Sequence, residues 1–316
     1  MRKRIYIPQP IAAAGENYLV AKGYEIFRGS KKTDPESMKK DIAGCEAMIL
    51  RTAKVDRTIL EAGTDLKVVA RHGAGYDNLD LEAAKELGIQ TTYSPDTTAR
   101  SVAEFTIAAV FEQAKRLVEM DRMIRENRFQ EKGGRKGMDL NGKTLGIVGF
   151  GRIGQMTAQM AAVGLGMRVL AYIPRPEGKN IPEYVQKTDW EQLFRESDFV
   201  SVHVPGGEKN RNLIGKKEFD MMKPSAYLIQ VSRGGVMDEA AFAEAVKEGK
   251  IAGGAVDVFE SEPPEKENPL FGLENVLLTP HVGSNTEECM DRIALDVAED
   301  VHLVLSGEQP RHPIKG

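Results

Sequence analysis

Three side chains in the second half of the chain have the chemistry for proton transfer and carboxylate recognition. His281 stands in Thr279-Pro280-His281-Val282-Gly283-Ser284, after an apolar run that reads as a buried strand. An imidazole titrates near neutrality, which suits general acid/base work. Glu262 lies in Asp257-Val258-Phe259-Glu260-Ser261-Glu262-Pro263-Pro264, and Arg233 in Val231-Ser232-Arg233-Gly234-Gly235. Two glycines beside an arginine leave a guanidinium free to meet a carboxylate through paired N–H donors. Each has a plainer alternative: a core histidine, a solvated acidic loop, a surface arginine. Together, each at the carboxyl edge of a strand, they converge on one crevice.

The elements that must position them centre on Thr144-Leu145-Gly146-Ile147-Val148-Gly149-Phe150-Gly151-Arg152-Ile153-Gly154. It reads as strand, glycine-dense turn and helix start, with Gly149, Gly151 and Gly154 in the three positions of G-x-G-x-x-G. The first permits the tight turn, the second lets backbone approach a pyrophosphate, and the third lets helix pack on strand. The helix N-terminus then offers unpaired N–H groups and a positive dipole end to phosphates. Strands at Arg168–Ala171, Phe199–Val202, Ala226–Gln230, Gly254–Val258 and Val276–Leu278 complete a doubly wound sheet of about six strands.

The first hundred residues alternate in the same way. Strands read at Arg4–Ile7, Tyr24–Phe27, Ala47–Leu50, Leu66–Ala70 and Ile89–Thr92, with helices between them, which implies a parallel sheet covered on both faces. Ligands bind beyond the carboxyl ends of such strands. That singles out Arg51-Thr52-Ala53-Lys54 and Arg71-His72-Gly73-Ala74-Gly75-Tyr76. Ala99 to about Arg128 reads as one long helix with Val102, Phe105, Ala109, Leu117 and Met120 on its apolar side. A final helix, Thr286 to Leu305, is expected to cross back onto the first domain. The predicted domains are therefore 1–99 with 286–316, and 100–285.

At 316 residues the chain is long enough for two domains. A net charge of -4 gives no global field for nucleic acid or an anionic membrane. Cys45 and Cys289 fit no metal or redox spacing, so no metal site is expected and the thiols read as structural. No apolar stretch matches a signal peptide or a membrane span. A cytosolic protein is expected.

This combination resembles the D-isomer-specific 2-hydroxyacid dehydrogenase family over essentially the whole chain, through the ordered set Gly149–Gly154, Arg233, Glu262 and His281. Leu140–Gly146, Arg233–Glu239 and Asp257–Phe259 are most similar to its short-form 3-phosphoglycerate dehydrogenase branch. The resemblance implies an α/β fold of two doubly wound domains: a Rossmann-type nucleotide domain and a flavodoxin-like, discontinuous substrate domain. It implies that His281 protonates the developing alkoxide, that Glu262 holds the other imidazole nitrogen, and that Arg233 binds the substrate carboxylate. Gly73, Ala74 and Gly75 would supply N–H groups to the carboxylate's other oxygen. Arg152 and Ile153 would meet the pyrophosphate, Val204, Val231 and Ser232 would line the cofactor, and Asp257 would face the nicotinamide side. A homodimer is implied as well.

One departure concerns the cofactor. An NAD-preferring enzyme places Asp or Glu on the adenosine ribose about twenty residues after the glycines. Here the position is Ile173, followed by Arg175, so NADP is expected to be accepted as well as or better than NAD. The alternative is that Ile173 packs on adenine and Arg175 points to solvent. For the substrate, Arg51, Lys54 and Arg71 predict a small 2-hydroxy or 2-oxo acid with a second anionic group, Arg51 and Arg71 matching basic positions of the phosphoglycerate branch. A glyoxylate/hydroxypyruvate reductase, or a nucleotide-sensing binding protein of the corepressor type, remain open.

Overall fold

Short apolar strands and aspartate-capped helices alternate along the chain in the computed structural model, which describes residues 2–134, 136–175 and 180–315. The chain divides into two units, Met1–Thr98 with Asn285–Gly316, and Ala99–Ser284.

The first unit runs β1 (Arg4–Tyr6), α1 (Ala13–Ala21), β2 (Glu25–Phe27), α2 (Pro35–Asp41), β3 (Ala47–Leu50), α3 (Arg57–Ala62), β4 (Val68–Arg71), α4 (Leu81–Glu86) and β5 (Gln90–Tyr93). All strand pairs are parallel, in the order β2-β1-β3-β4-β5. Asp34, Asp56 and Asp80 start α2, α3 and α4 by accepting from the backbone N–H three residues on, each such cap contributing about 1 kcal/mol. Successive strand residues point to opposite faces. Tyr6, Met48, Leu50 and Val69 therefore bury one core with Met38, Ile59 and Ala83. Ile5, Ile7, Ala47, Ile49, Val68 and Ala70 bury the other with Leu19 and with Ile293, Val297 and Val301 from the end of the chain.

The second unit runs α5 (Ala99–Lys115), α6 (Leu117–Arg125), β6 (Thr144–Val148), α7 (Arg152–Gln159), β7 (Arg168–Tyr172), β8 (Val185–Thr188), α8 (Trp190–Glu196), β9 (Phe199–Val202), α9 (Lys216–Met221), β10 (Tyr227–Gln230), α10 (Glu239–Lys247), β11 (Gly253–Val256) and β12 (Val276–Leu278). Its sheet is parallel throughout, in the order β12-β11-β10-β9-β6-β7-β8. Here too adjacent residues split between faces. Phe199, Ile229 and Ala255 pack with Ala109 and Ala158, whereas Val200, Leu228 and Val256 pack with Phe194, Phe219 and Phe242. The strand order reverses between β6 and β9, and the crevice beyond that reversal is where such sheets hold ligands. The chain then returns as α11 (Glu287–Leu305), capped by Thr286, to pack on α1 and β4 of the first unit.

Two expectations change. The sheet has seven strands, because β8 adds an edge strand beside β7; only Val185 and Thr188 of it are buried. The expected single helix from Ala99 is two, broken at Arg116, whose φ of 55° is left-handed and ends the helical path. Leu117, expected on a packed face, is 56% exposed.

Candidate active site

β12 delivers His281 and the loop after β11 delivers Glu262. His281 Nδ1 lies 2.8 Å from Glu262 Oε2, and both side chains remain open to solvent. Burial raises the Glu262 carboxyl, but the hydrogen bond and charge of His281, the Phe259 N–H and the Arg233 charge outweigh it and hold the group below the usual carboxylate range. Arg233 thus belongs to the same electrostatic cluster. Its segment leaves β10 against the Glu262 loop, where a Cβ on Gly234 would stand 1.8 Å from the Phe259 carbonyl oxygen. Only glycine allows that approach. Gln230, buried at the end of β10, donates from Nε2 to the Arg233 carbonyl and accepts from Ser232 Oγ.

His281 has a left-handed backbone, φ 52°, a conformation that costs about 1–3 kcal/mol unless its surroundings impose it. Asp257 is what imposes it. The carboxylate, only 2% exposed, accepts from Thr279 Oγ1 (2.6 Å), Val282 N (2.9 Å) and Gly283 N (2.8 Å), while the Asp257 carbonyl accepts from His281 N (2.8 Å). The Asp257 carboxylate thus braces the His281 loop.

At the glycine turn the three residues differ. A Cβ on Gly149 would meet the His203 carbonyl oxygen at 2.6 Å, and one on Gly154 the Gly149 carbonyl oxygen at 2.3 Å. A Cβ on Gly151 would meet nothing within 4 Å. Gly149 and Gly154 are fixed by packing, and Gly151 borders open space at the start of α7, with Arg152 exposed and Ile153 half-buried beside it. That cradle fits a pyrophosphate: backbone N–H groups, a helix N-terminus and room that a side chain would fill. Val204 borders Gly149. Val231 and Ser232 are buried at the end of β10. Ile173, 2% exposed, packs into the core beside β7, and Arg175 is exposed.

In the first unit the two flagged loops end β3 and β4. Arg51 donates from Nη1 to the Pro10 carbonyl at 2.6 Å. Arg71 donates from Nε to Asn78 Oδ1 at 3.1 Å and from Nη1 to the His72 carbonyl. Both guanidinium groups are therefore tied to their own unit, while Lys54 is exposed. Among the described residues, the N–H groups of Gly73, Ala74 and Gly75 carry no hydrogen bond, and Gly73 has φ 131°; such a turn can nest an anion. His72 is buried beside it, its Nε2 without a partner among the described residues. His302 and His312 are half-buried: His302 bonds the Tyr24 hydroxyl, and His312 sits near Asp296 and Asp300.

Sequence reading assigned no role to Gln230 and Thr279, which hydrogen-bond the Arg233 and Asp257 segments, or to Glu239, whose carboxylate accepts from Glu260 N and Asn268 Nδ2. A polar residue closing an otherwise apolar strand was a signal for Gln230. Nothing marked Glu239, which follows a helix cap where acids are common. Among the described residues no cluster of three potential metal ligands occurs, and no helix is long and apolar enough to cross a membrane.

Residues 107–283 match the family model described as D-isomer specific 2-hydroxyacid dehydrogenase, NAD binding domain. A glyoxylate reductase of Thermococcus litoralis is 39% identical, the alignment covering 98% of this chain and 96% of that protein. A D-3-phosphoglycerate dehydrogenase of Archaeoglobus fulgidus is 34% identical over 98% of this chain; the chain spans 59% of that relative's length. The solved structure of the TT0316 protein from Thermus thermophilus superposes with a TM-score of 0.89 at 31% identity, over 99% of this chain and 100% of that one.

Proposed function

The chain belongs to the D-isomer specific 2-hydroxyacid dehydrogenase family, and on that premise we propose that it interconverts a small 2-oxo acid and its D-2-hydroxy acid with NAD or NADP. The observation that carries the reading is the 2.8 Å pairing of His281 with Glu262, with the Arg233 charge acting on the same carboxylate. Gly149, Gly151, Arg152, Ile153 and Gly154 would hold the dinucleotide at the glycine turn, and in its reduced form it would supply the hydride. Arg233 anchors the substrate carboxylate through paired N–H donors. His281 gives its Nε2 proton to the oxygen on the carbon being reduced, and takes it back in oxidation. Glu262 keeps Nδ1 protonated, fixing the tautomer and stabilising the imidazolium. The turn Gly73-Ala74-Gly75 is the first unit's anion-binding element.

For the substrate we propose a short 2-oxo acid such as glyoxylate or hydroxypyruvate. The engagement of Arg51 and Arg71 with their own unit supports this, as does full-length similarity to a glyoxylate reductase. A substrate with a phosphate or second carboxylate is the other reading, favoured by the basic trio Arg51, Lys54 and Arg71. NADP is proposed as a cofactor alongside NAD from Ile173 and Arg175, and a homodimer from the exposed apolar face of α6.

The test follows nicotinamide absorbance with a panel of 2-oxo acids. Turnover is expected, and His281→Ala should lower kcat by a factor on the order of 10²–10⁴. Dinucleotide binding without turnover on any acid would favour the corepressor-type reading. Arg51→Ala and Arg71→Ala should leave the ratio of activities on glyoxylate and on phosphohydroxypyruvate unchanged; selective loss of the phosphorylated acid would favour the anionic-tail reading.

A further inference from the structure

Outside the reacting groups, one buried carboxylate is tied to the loop that carries Glu262. Glu239 opens α10 and is 8% exposed. Its Oε1 accepts the backbone N–H of Glu260 at 2.5 Å, and its Oε2 accepts from Asn268 Nδ2 at 2.7 Å. These two bonds grip both ends of the stretch 260–268, so one side chain closes the loop in which Glu262 sits. Within the loop itself, the Phe259 N–H donates to Glu262 Oε1 at 3.2 Å and the Asn268 N–H to the Glu265 carbonyl at 3.1 Å, but neither ties the loop to a buried element outside it. Arg211 pairs with the Glu260 side chain at the surface, and Ser261 Oγ reaches the Pro263 carbonyl at 3.3 Å. The helix N-terminus stabilises the Glu239 charge, and a hydrogen bond to a charged acceptor is stronger than a neutral one. Glu239 also lies six residues beyond Arg233 in one continuous segment, which passes Phe259 at Gly234. The segment that presents the guanidinium therefore also sets the position of the carboxylate.

We propose that Glu239 is a positioning residue for the acid/base pair: by clamping Glu260 and Asn268 it holds Glu262 against His281. The proposal rests on the dyad reading above. A shift of about 1 Å in a group that orients a catalytic base can cost a factor on the order of 10² in rate, and that sets the scale of loss expected when the loop is released from Glu239.

The experiment compares E239A, E239Q and E262Q in the full-length protein with glyoxylate and NADH. E239A should lose kcat by roughly 10–100-fold, with the NADH dissociation constant unchanged because the glycine turn is untouched. Its pH dependence of kcat should move to that of E262Q, which a merely structural residue would not cause. E239Q keeps an acceptor for the Glu260 N–H and should recover to within about fivefold of wild type, the loss expected when a charged acceptor becomes neutral. Wild-type kcat and pH dependence in E239A would overturn the proposal. So would parallel losses of kcat, NADH affinity and melting temperature, which would mark general loosening. If E262Q itself matches wild type, the dyad reading falls and the positioning role with it; if E262Q is impaired and E239A is not, only the positioning role falls. Should E239A not fold, E239D, which withdraws the carboxylate by one methylene, carries the same outcomes.

Discussion

An imidazole enclosed by protein resists protonation, and two histidines here are enclosed in that way. Burial, aided by the Arg51 and Arg71 charges, pushes His72 down to about 3, and burial pushes His203 down to about 3. The unfolded residue titrates near 6.5. Between those values the unfolded chain binds protons that the folded chain refuses, so stability falls as pH falls through 6.5 and the loss ends near 3. Going from pH 7.5 to 5.5 should cost about 1.4 kcal/mol per histidine. His72→Phe should remove about that much from the difference between urea-unfolding free energies at the two pH values; an unchanged difference would show that His72 is protonated when folded. Arg175 carries the second prediction at this scale. Its exposed guanidinium can meet a 2′-phosphate, and a charge-assisted bond of that kind corresponds to roughly 10–100-fold in affinity. Arg175→Ala should therefore raise the KM for NADPH by about 10-fold and leave NADH nearly untouched; equal losses with both would remove the NADP reading. His281, Glu262 and Arg233 were legible because proline and glycine flank reactive side chains at strand ends. Glu239 was not, since a buried carboxylate that braces a loop has the same letters as a solvated one; Asp257 was singled out, but its bonds to the His281 loop were not.

Helices and strands divide along the same line. Strands with two buried faces announce themselves as apolar runs, and nearly every strand of both sheets could be placed from that signal. The edge strand β8, Val-Gln-Lys-Thr, could not, because polar residues on an edge guard it against pairing and also hide it from a hydrophobicity reading. The break between α5 and α6 is marked by no glycine or proline; it falls at Arg116, whose left-handed backbone only the folded chain imposes. The glycine turn was legible in full, and the structure now separates its members by what a methyl would touch. Gly154→Ala would drive Cβ into the Gly149 carbonyl at 2.3 Å and should cost several degrees of melting temperature. Gly151→Ala meets only open space, so the fold should keep its melting temperature while NADH affinity drops by about 10-fold or more. The converse pattern in thermal unfolding and NADH titration would refute the cradle.

At the scale of the molecule, the feature that wants a partner is α6. Its Leu117, Val118 and Ile124 are about half exposed, and Phe129 just beyond it is exposed as well. Scattered apolar side chains need no explanation, but these four lie within thirteen residues of one another in sequence and flank only one buried residue of the helix, Met123. The same helix carries Asp121, Arg122 and Arg125, so a second copy brought against it two-fold would meet opposite charges along with apolar surface. A symmetric patch of this kind is how most soluble homodimers close. Light scattering should therefore give twice the chain mass of 34.8 kDa. Leu117→Glu with Ile124→Glu places two buried, unpaired carboxylates in each copy's half of the interface, a penalty of several kcal/mol, and should yield a monomer whose isolated units keep their circular dichroism. A wild-type monomer at micromolar concentration, or a dimer indifferent to both substitutions, would place the interface elsewhere or nowhere.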